Sequence, residues 1–375
     1  MRKFPKYLLL FFSLQLAFLT QTSWAKSGGD DEPFNLSETI FHHIGDSYEW
    51  EFFELNGHTY ALPLPVILYS DKGLDIFMSN KLHGLSEAPT HHGEEGEPHE
   101  GNEGEEEGSS EESHAQILKT SVNTYLVDHG KISLADGGTL YDFSITKNVF
   151  SMFLSVGLMF FIFFTVAGSY RKNKGKAPRG IQSFFEPIIV FVRDDIAKEA
   201  IGPKYERFLP YLLTIFFFIW FNNILGLFPA GANLTGNFAI ALTLALFTFF
   251  ITLFSSNRNY WNHIFNTPGV PMWLKTIVPI MPIVEFMGIF TKPFSLMIRL
   301  FANITAGHII ILSLFSLIFI FKDVGGAVAP ASVAFAVAMN FLELFVALLQ
   351  AYVFTLLSAL YFGGAVEDHH HEEAH

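Results

Sequence analysis

The sequence predicts an all-α polytopic membrane protein. It has five transmembrane segments, the last two long and steeply tilted, plus one interfacial helix and a small extracytoplasmic N-terminal region, partly β and partly disordered. Three observations lead there. Half of the 375 residues are hydrophobic, 43 are Phe and only 16% are charged, a balance richer in apolar residues than soluble domains carry. Beyond residue 146 the apolar residues gather in runs long enough to cross a bilayer. The first such run is followed at once by Arg171, Lys172, Lys174, Lys176 and Arg179, which marks that side as cytoplasmic by the positive-inside rule. The net charge of -13 comes largely from one acidic stretch, residues 94–112. It says little about the membrane part and argues against nucleic-acid binding. Cysteine is absent, which excludes disulfides and thiolate metal sites without fixing the compartment.

Taken in order, residues 1–25 read as a secretory signal: Arg2, Lys3 and Lys6, an apolar run to about Leu19, then Ser23-Trp24-Ala25 as a small-x-small cleavage site. Cleavage is expected after Ala25. The alternative is an uncleaved anchor, for which the apolar run is short against the ~20 residues of a span. Residues 26–145 are then exported. They contain strand-like runs at 47–55 and 59–69, separated by the hairpin dipeptide Asn56-Gly57, and a further strand-like part over 117–143. Between these lies a His- and Glu-rich stretch, 87–114, almost free of apolar residues and therefore expected to be disordered. Its side chains, like His369, His370 and His371 in the C-terminal tail 364–375, suit weak divalent-metal binding without any fixed geometry.

The membrane domain is expected over 146–363. Residues 149–170 form its first span. Residues 181–200 mix Phe184, Phe185, Ile188 and Ile189 with Glu186, Arg193, Asp194 and Lys198, the pattern of an amphipathic helix along the cytoplasmic interface. Residues 208–228 and 238–254 form a helical hairpin. Two apolar segments follow, 277–321 and 327–362, split by Lys322-Asp323-Val324-Gly325-Gly326. As helices they would run roughly 68 and 54 Å against a hydrocarbon core near 30 Å, so they must tilt, kink or break. Pro279, Pro282, Pro293 and Pro330 supply candidate kinks.

Polar residues inside those two segments are few, and each is informative. Arg299 is a lone arginine in a long apolar run; a charge at that depth costs several kcal/mol unless it faces a partner, a cavity or a moving ion. Asn303 lies on the same face one turn on. His308 falls about 180° round and roughly 13 Å along the axis, so the helix presents two polar faces. In the last segment Asn340, Glu343 and Gln350 share one stripe at helical spacing, and Glu343 is an acid that must be neutralised, paired or wet. Tilted antiparallel helices would bring that stripe against His308. A purely structural ion pair for Arg299 is the competing reading, but such pairs rarely stabilise more than apolar packing does.

These residues resemble subunit a of the F-type ATP synthases. The likeness rests on Lys-Pro-x-Ser-Leu-x-x-Arg-Leu-Phe-x-Asn-x-x-Ala-Gly at 292–307, on Asn223-x-x-Gly-Leu-x-Pro229, and on Leu349-Gln350-Ala351-Tyr352-Val353-Phe354. It covers roughly residues 146–362. The resemblance implies a stationary, non-catalytic subunit with no cofactor of its own, set beside a ring of c subunits and assembled with the peripheral-stalk subunit b, the remaining synthase subunits and membrane lipid. It implies a multi-pass protein of the bacterial inner membrane, with the N-terminal region outside and the C-terminus cytoplasmic. It also assigns Arg299 as the essential arginine, with Gln350 near it, His308 and Glu343 as interacting half-channel residues, and Glu285 as an acidic position on the exit path. The translocated ion is H⁺, with Na⁺ the alternative, since selectivity would sit mostly on the ring. The acidic stretch and the β-like region fall outside the family's shared core. A divalent-metal transporter is the rival reading; it needs several His, Asp or Glu ligands converging at mid-membrane, where the long segments offer one His and two Glu. An intramembrane hydrolase would need a motif such as His-Glu-x-x-His or Gly-x-Ser-x-Gly, and neither occurs.

Because the acidic stretch cannot support a packed core, deletion of residues 90–113 is expected to leave ATP-driven proton pumping near normal. Pumping lost with assembly intact would show that the stretch takes part in proton uptake.

Overall fold

The computed structural model describes residues 45–55, 58–82, 86–87, 116–120, 122–128, 131–228, 231–265, 280–321 and 325–367. The expected signal sequence, the acidic stretch except Glu87 and the histidines of the C-terminal tail lie outside them. The chain divides into a β unit, Asp46–Phe150, and a helical unit from Ser151 onward.

The β unit contains β1 (Glu49–Leu55), β2 (His58–Pro63), β3 (Pro65–Ser70), β4 (Gly73–Met78), β5 (Ser86–Glu87), β6 (Gln116–Lys119), β7 (Thr124–Asp128), β8 (Lys131–Leu134) and β9 (Leu140–Asp142). They pair antiparallel as β1-β2, β4-β3-β9 and β5-β6-β7-β8. The single strand expected over 59–69 is two strands in two sheets. Pro63 and Pro65 bracket the corner, and neither can donate to a ladder. Leu64 between them is pinned instead by Ser79: its N–H donates to Ser79 Oγ at 3.0 Å and its carbonyl accepts from Ser79 N at 3.0 Å. The core is Val66, Leu68 and Phe77 from one sheet against Leu118 and Tyr125 from another. Glu87, placed in the disordered stretch on composition, pairs with Gln116.

Five helices are long and apolar enough to cross a membrane, as the sequence predicts. Helix α1 (Lys147–Lys172) ends on Arg171 and Lys172. Helix α2 (Ile181–Phe191) continues into a π-helical stretch, Val192–Lys198, and a last turn, Glu199–Ile201. It is the helix expected along the interface, and its wider second half buries Val192, Ile196 and Ala197 together. Gly202, at φ +72° and followed by Pro203, ends it. Then come α3 (Tyr205–Gly226), α4 (Phe238–Ser255), α5 (Arg258–Phe265), α6 (Ile280–Ile320) and α7 (Gly325–Val366). Gly325 and Gly326, in the segment expected to split the two long apolar runs, open α7, and α7 runs three residues past the expected domain end at 363. Neither α6 nor α7 breaks, although Pro293 lies inside one and Pro330 inside the other.

Aromatic rings tie α1, α2 and α3: Phe163 meets Phe217 edge-on at 4.8 Å, and Phe185 meets Phe217 and Phe221 at 5.8 and 6.1 Å. Hydroxyls link α3, α4 and α7, with Tyr211 Oη 2.8 Å from Thr248 Oγ1, itself 3.4 Å from Ser358 Oγ. The end of α7 is held by donors. Lys204 Nζ and Asn257 Nδ2 each donate to the Val366 carbonyl at 3.0 Å, and Asn257 N donates to Ala365 at 2.8 Å, satisfying carbonyls that a helix C-terminus leaves free. Close by, Gly363 lies so near the turn after α2 that a Cβ on it would sit 2.0 Å from the Ala200 carbonyl oxygen. Gly363→Ala is therefore expected to destabilise the subunit by about 1–3 kcal/mol through overpacking, read as a lowered unfolding temperature and a lower yield of assembled complex. Gly364→Ala, which meets nothing within 4 Å, is the matched control.

Candidate functional site on the two long helices

Helices α6 and α7 pack along one stripe each. On α6 it is Ile289, Leu296, Leu300, Ile304 and Gly307; on α7 it is Ala336, Asn340, Glu343, Ala347, Gln350 and Phe354, all buried. Both follow the three-and-four spacing of a helix face, and the small members let the backbones approach closely.

At the upper part of this seam His308 of α6 and Glu343 of α7 meet, with Nε2 3.7 Å from Oε1. Glu343 is 3% exposed, and neither carboxyl oxygen accepts a hydrogen bond among the described residues. An isolated charge so placed costs several kcal/mol; the imidazole is the group positioned to offset it. The pair has a built surround. A Cβ on Gly307 would lie 2.8 Å from Glu343 Oε1, so this glycine makes the room in which the carboxyl sits, and Gly226 of α3 brings a further backbone to within contact distance of His308 Nε2. One turn beyond Glu343, Asn223 Nδ2 donates to the Ala347 carbonyl at 3.3 Å, while Asn223 Oδ1 accepts from Thr235 Oγ1 at 2.5 Å. Thr305 Oγ1 donates to the Gly236 carbonyl at 3.4 Å. The segment between α3 and α4 is thus fastened to both long helices beside the pair. Gly226, Gly307, Asn223 and Thr235 were not singled out as site residues from sequence. The first three stand inside recognisable motifs, but only the three-dimensional packing shows what they touch.

The face of α6 opposite His308 carries Lys292, Ser295, Arg299 and Asn303, at i, i+3, i+7 and i+11, all exposed. Arg299 forms no hydrogen bond or ion pair among the described residues, so the intrachain pair offered as its structural explanation is not present there. Tyr361 of α7 is its electrostatic neighbour, with Lys292 Nζ 5.7 Å from the same ring. Gln350 and Asn340 are buried in the α6–α7 seam and neither hydrogen-bonds Arg299. Glu285 is half-buried near the start of α6, within electrostatic reach of Tyr260 on α5. The structure therefore brings His308 and Glu343 together, groups Arg299 with Asn303, and leaves Glu285 apart from both. Among the described residues no three His, Asp or Glu side chains converge on one point, which is what the metal-transporter reading requires.

A family model described as ATP synthase A chain matches residues 149–363, more than half of the chain. The protein belongs to this family. A second model, a domain of unknown function, matches residues 39–148, which is close to the span of the β unit. ATP synthase subunit a of Chloroherpeton thalassium is 47% identical over 242 residues, covering 63% of this chain and 71% of that protein. ATP synthase subunit a 2 of Chlorobaculum tepidum is 48% identical over 241 residues, 63% of this chain and 66% of that protein. ATP synthase subunit a of an Anaeromyxobacter species is 40% identical over 270 residues, 70% of this chain and 62% of that protein. With five apolar helices, membership makes this a multi-pass bacterial inner-membrane protein. It is a non-catalytic component of the Fo sector, concerned with proton transport in ATP synthesis.

If His308 and Glu343 act as one unit, His308→Leu and Glu343→Leu are each expected to slow proton flux, with the double variant little worse than the poorer single one. A coupling of ~1 kcal/mol or more, about a fivefold departure from additivity, is the measurement to make by double-mutant cycle on ATP-driven acidification. Additive losses would mean that the 3.7 Å contact is incidental.

Proposed function

We propose that this chain supplies the two half-channels through which protons reach and leave a rotating c ring, with Arg299 keeping them apart. The observation that carries this reading is the division of α6 into two polar faces. His308 looks inward to Glu343, while Arg299 lies outward on an exposed stripe with no hydrogen-bond or ion-pair partner among the described residues. A buried titratable pair suits proton relay, and an exposed, unpaired cation at membrane depth suits a partner that brings the negative charge. That partner is a carboxylate on the c ring.

In this scheme the β unit lies outside and the C-terminus is cytoplasmic, as the basic residues after α1 indicate. Protons enter through the seam at Glu343 and His308 and pass to a ring carboxylate. They ride the ring and leave to the cytoplasm by way of Glu285. Buried Asn340 and Gln350 line the seam on α7, and Asn303 extends the Arg299 face by one turn. Arg299 acts as a fixed charge: it favours the ionised ring carboxylate facing it and repels a hydronium attempting to cross between the half-channels. The ring, subunit b, the remaining synthase subunits and lipid are the partners. H⁺ is the ion, Na⁺ the alternative.

Arg299→Ala is expected to abolish ATP-driven pumping and ATP synthesis while leaving assembly intact, because removing a lone charge from an apolar helix carries no insertion penalty. Arg299→Lys keeps a charge but loses the planar fork and gains a more strongly hydrated head, so little rescue is expected. Reconstituted vesicles assayed for ATP-driven acidification and passive proton conductance decide the matter. Substantial coupled pumping by the Ala variant would sink the mechanism.

A further inference from the structure

The three-stranded sheet β4-β3-β9 does not turn a polar face outward. Its inner face, toward the core of the β unit, holds hydrogen-bonded polar groups among the apolar ones: Asp75 accepts from Thr120 Oγ1 and, at 3.3 Å, from Tyr125 Oη, while Asn123 Nδ2 donates to Ser70 Oγ at 2.7 Å. Its outer face is apolar. Leu74, Ile76 and Met78 of β4 are 54%, 60% and 43% exposed, Tyr69 of β3 is 50% exposed and Tyr141 of β9 is 57% exposed. The register makes these one surface, setting Tyr69 opposite both Leu74 and Tyr141, Ile67 opposite Ile76 and Pro65 opposite Met78. Phe143, just past β9, is 65% exposed. None of these outward positions carries a charge. A one-sided antiparallel sheet ordinarily turns polar residues to water. A slip of register does not account for the apolar outer face, because the inner hydrogen bonds and the buried Val66, Leu68 and Phe77 fix which residues face in. A contiguous apolar surface of this kind marks a contact site.

Chain continuity says what the contact is. Only residues 143–146 separate β9 from α1, a reach of at most ~14 Å even if fully extended. They are not extended freely: Phe143 N and Ile145 N donate to the Ile67 and Pro65 carbonyls at 2.9 and 3.0 Å, so β3 holds the segment along its edge. The first turn of α1 is itself fastened to the β unit. Lys147 N donates to the Ser47 carbonyl at 2.8 Å, Asn148 N donates to Asp46 Oδ1 at 3.1 Å, and Trp50 meets Phe150 edge-on at 5.4 Å. Since α1 is a membrane span, the sheet begins within one short segment of the headgroup layer, where Trp and Tyr concentrate.

We propose that the outer face of β4-β3-β9 is a membrane-surface platform that rests on the lipid headgroup and upper acyl region of the leaflet where α1 begins. Apolar and aromatic side chains make the contact, so it does not depend on headgroup charge. The platform fixes the β unit to the bilayer independently of any contact with other subunits.

The absence of cysteine makes the test direct. Ile76→Cys and Phe143→Cys, both at sites more than half exposed, and Asp136→Cys at the exposed β8–β9 turn as control, are labelled with bimane. The assembled complex is reconstituted in phosphatidylcholine vesicles, and background from the unsubstituted complex is subtracted. Interfacial faces sink ~5–10 Å into the boundary, so lipid with a nitroxide at the fifth acyl carbon is expected to quench the labels at 76 and 143 about twofold or more, with little effect at 136. In the Phe143→Cys background, Ile76→Glu is expected to reduce that quenching. Quenching at 76 and 143 no greater than at 136 would overturn the proposal. So would a disulfide-linked dimer through position 76 that persists on lipid dilution, which would assign the face to a second copy of the chain.

Discussion

The seam between α6 and α7 is the constraint on which the rest of the helical unit depends. Helices of 41 and 42 residues would each run about 60 Å, roughly twice the hydrocarbon thickness, so a large part of each must be reconciled with a layer too thin to hold it upright. In lipid there is no hydrophobic drive to hold two helices together. What holds these is close approach at Ala336, Ala347 and Gly307 and the anchoring of α7 at both Asn223 and its C-terminal carbonyls. Gly363 against Ala200 fixes where α7 meets the interfacial helix. The long pair is braced in the middle by α3 and at one end by the π-helical segment.

That bracing explains why one helix carries two kinds of polar group without losing its place. Nine residues separate Arg299 from His308, half a revolution at 100° per residue. Packing of Leu296, Leu300 and Ile304 into the seam fixes the rotation of α6, and this alone determines that the arginine faces out and the imidazole faces in.

Spans, the helix over 181–201 and the two-faced character of α6 were legible from sequence because each rests on a period or a charge asymmetry that a single chain displays. Glu343 was legible for the same reason: an acid in an apolar run is conspicuous. What sequence could not give was anything that depends on a missing atom. Gly307 reads as one glycine among 29 until the carboxyl of Glu343 is seen in the space its side chain would fill. Pro63 and Pro65 were present in an apparently continuous strand run. Only the pairing shows that they turn the chain from one sheet to another at Leu64. The exposed face of β4-β3-β9 was hidden by alternation itself, since a period of two identifies a strand but does not say which face is buried.

Two of the buried carboxylates, Asp75 and Glu343, make an instructive contrast. Asp75 is 7% exposed and accepts hydrogen bonds from Thr120 and Tyr125, so its burial is explained by the sheet it stitches together. Glu343 is 3% exposed and accepts none among the described residues. Replacing an unsatisfied buried acid with an apolar residue of similar size would stabilise most folds, so stability is not what keeps Glu343 in the seam. A carboxyl held 3.7 Å from an imidazole, in space that a side chain at Gly307 would take, suits the proton relay proposed for the pair better than a role in holding two helices together. The same reasoning applies to Arg299 on the other face. Each group is a liability to the isolated chain, and the two are compatible with one stable subunit because the seam orients them toward different neighbours.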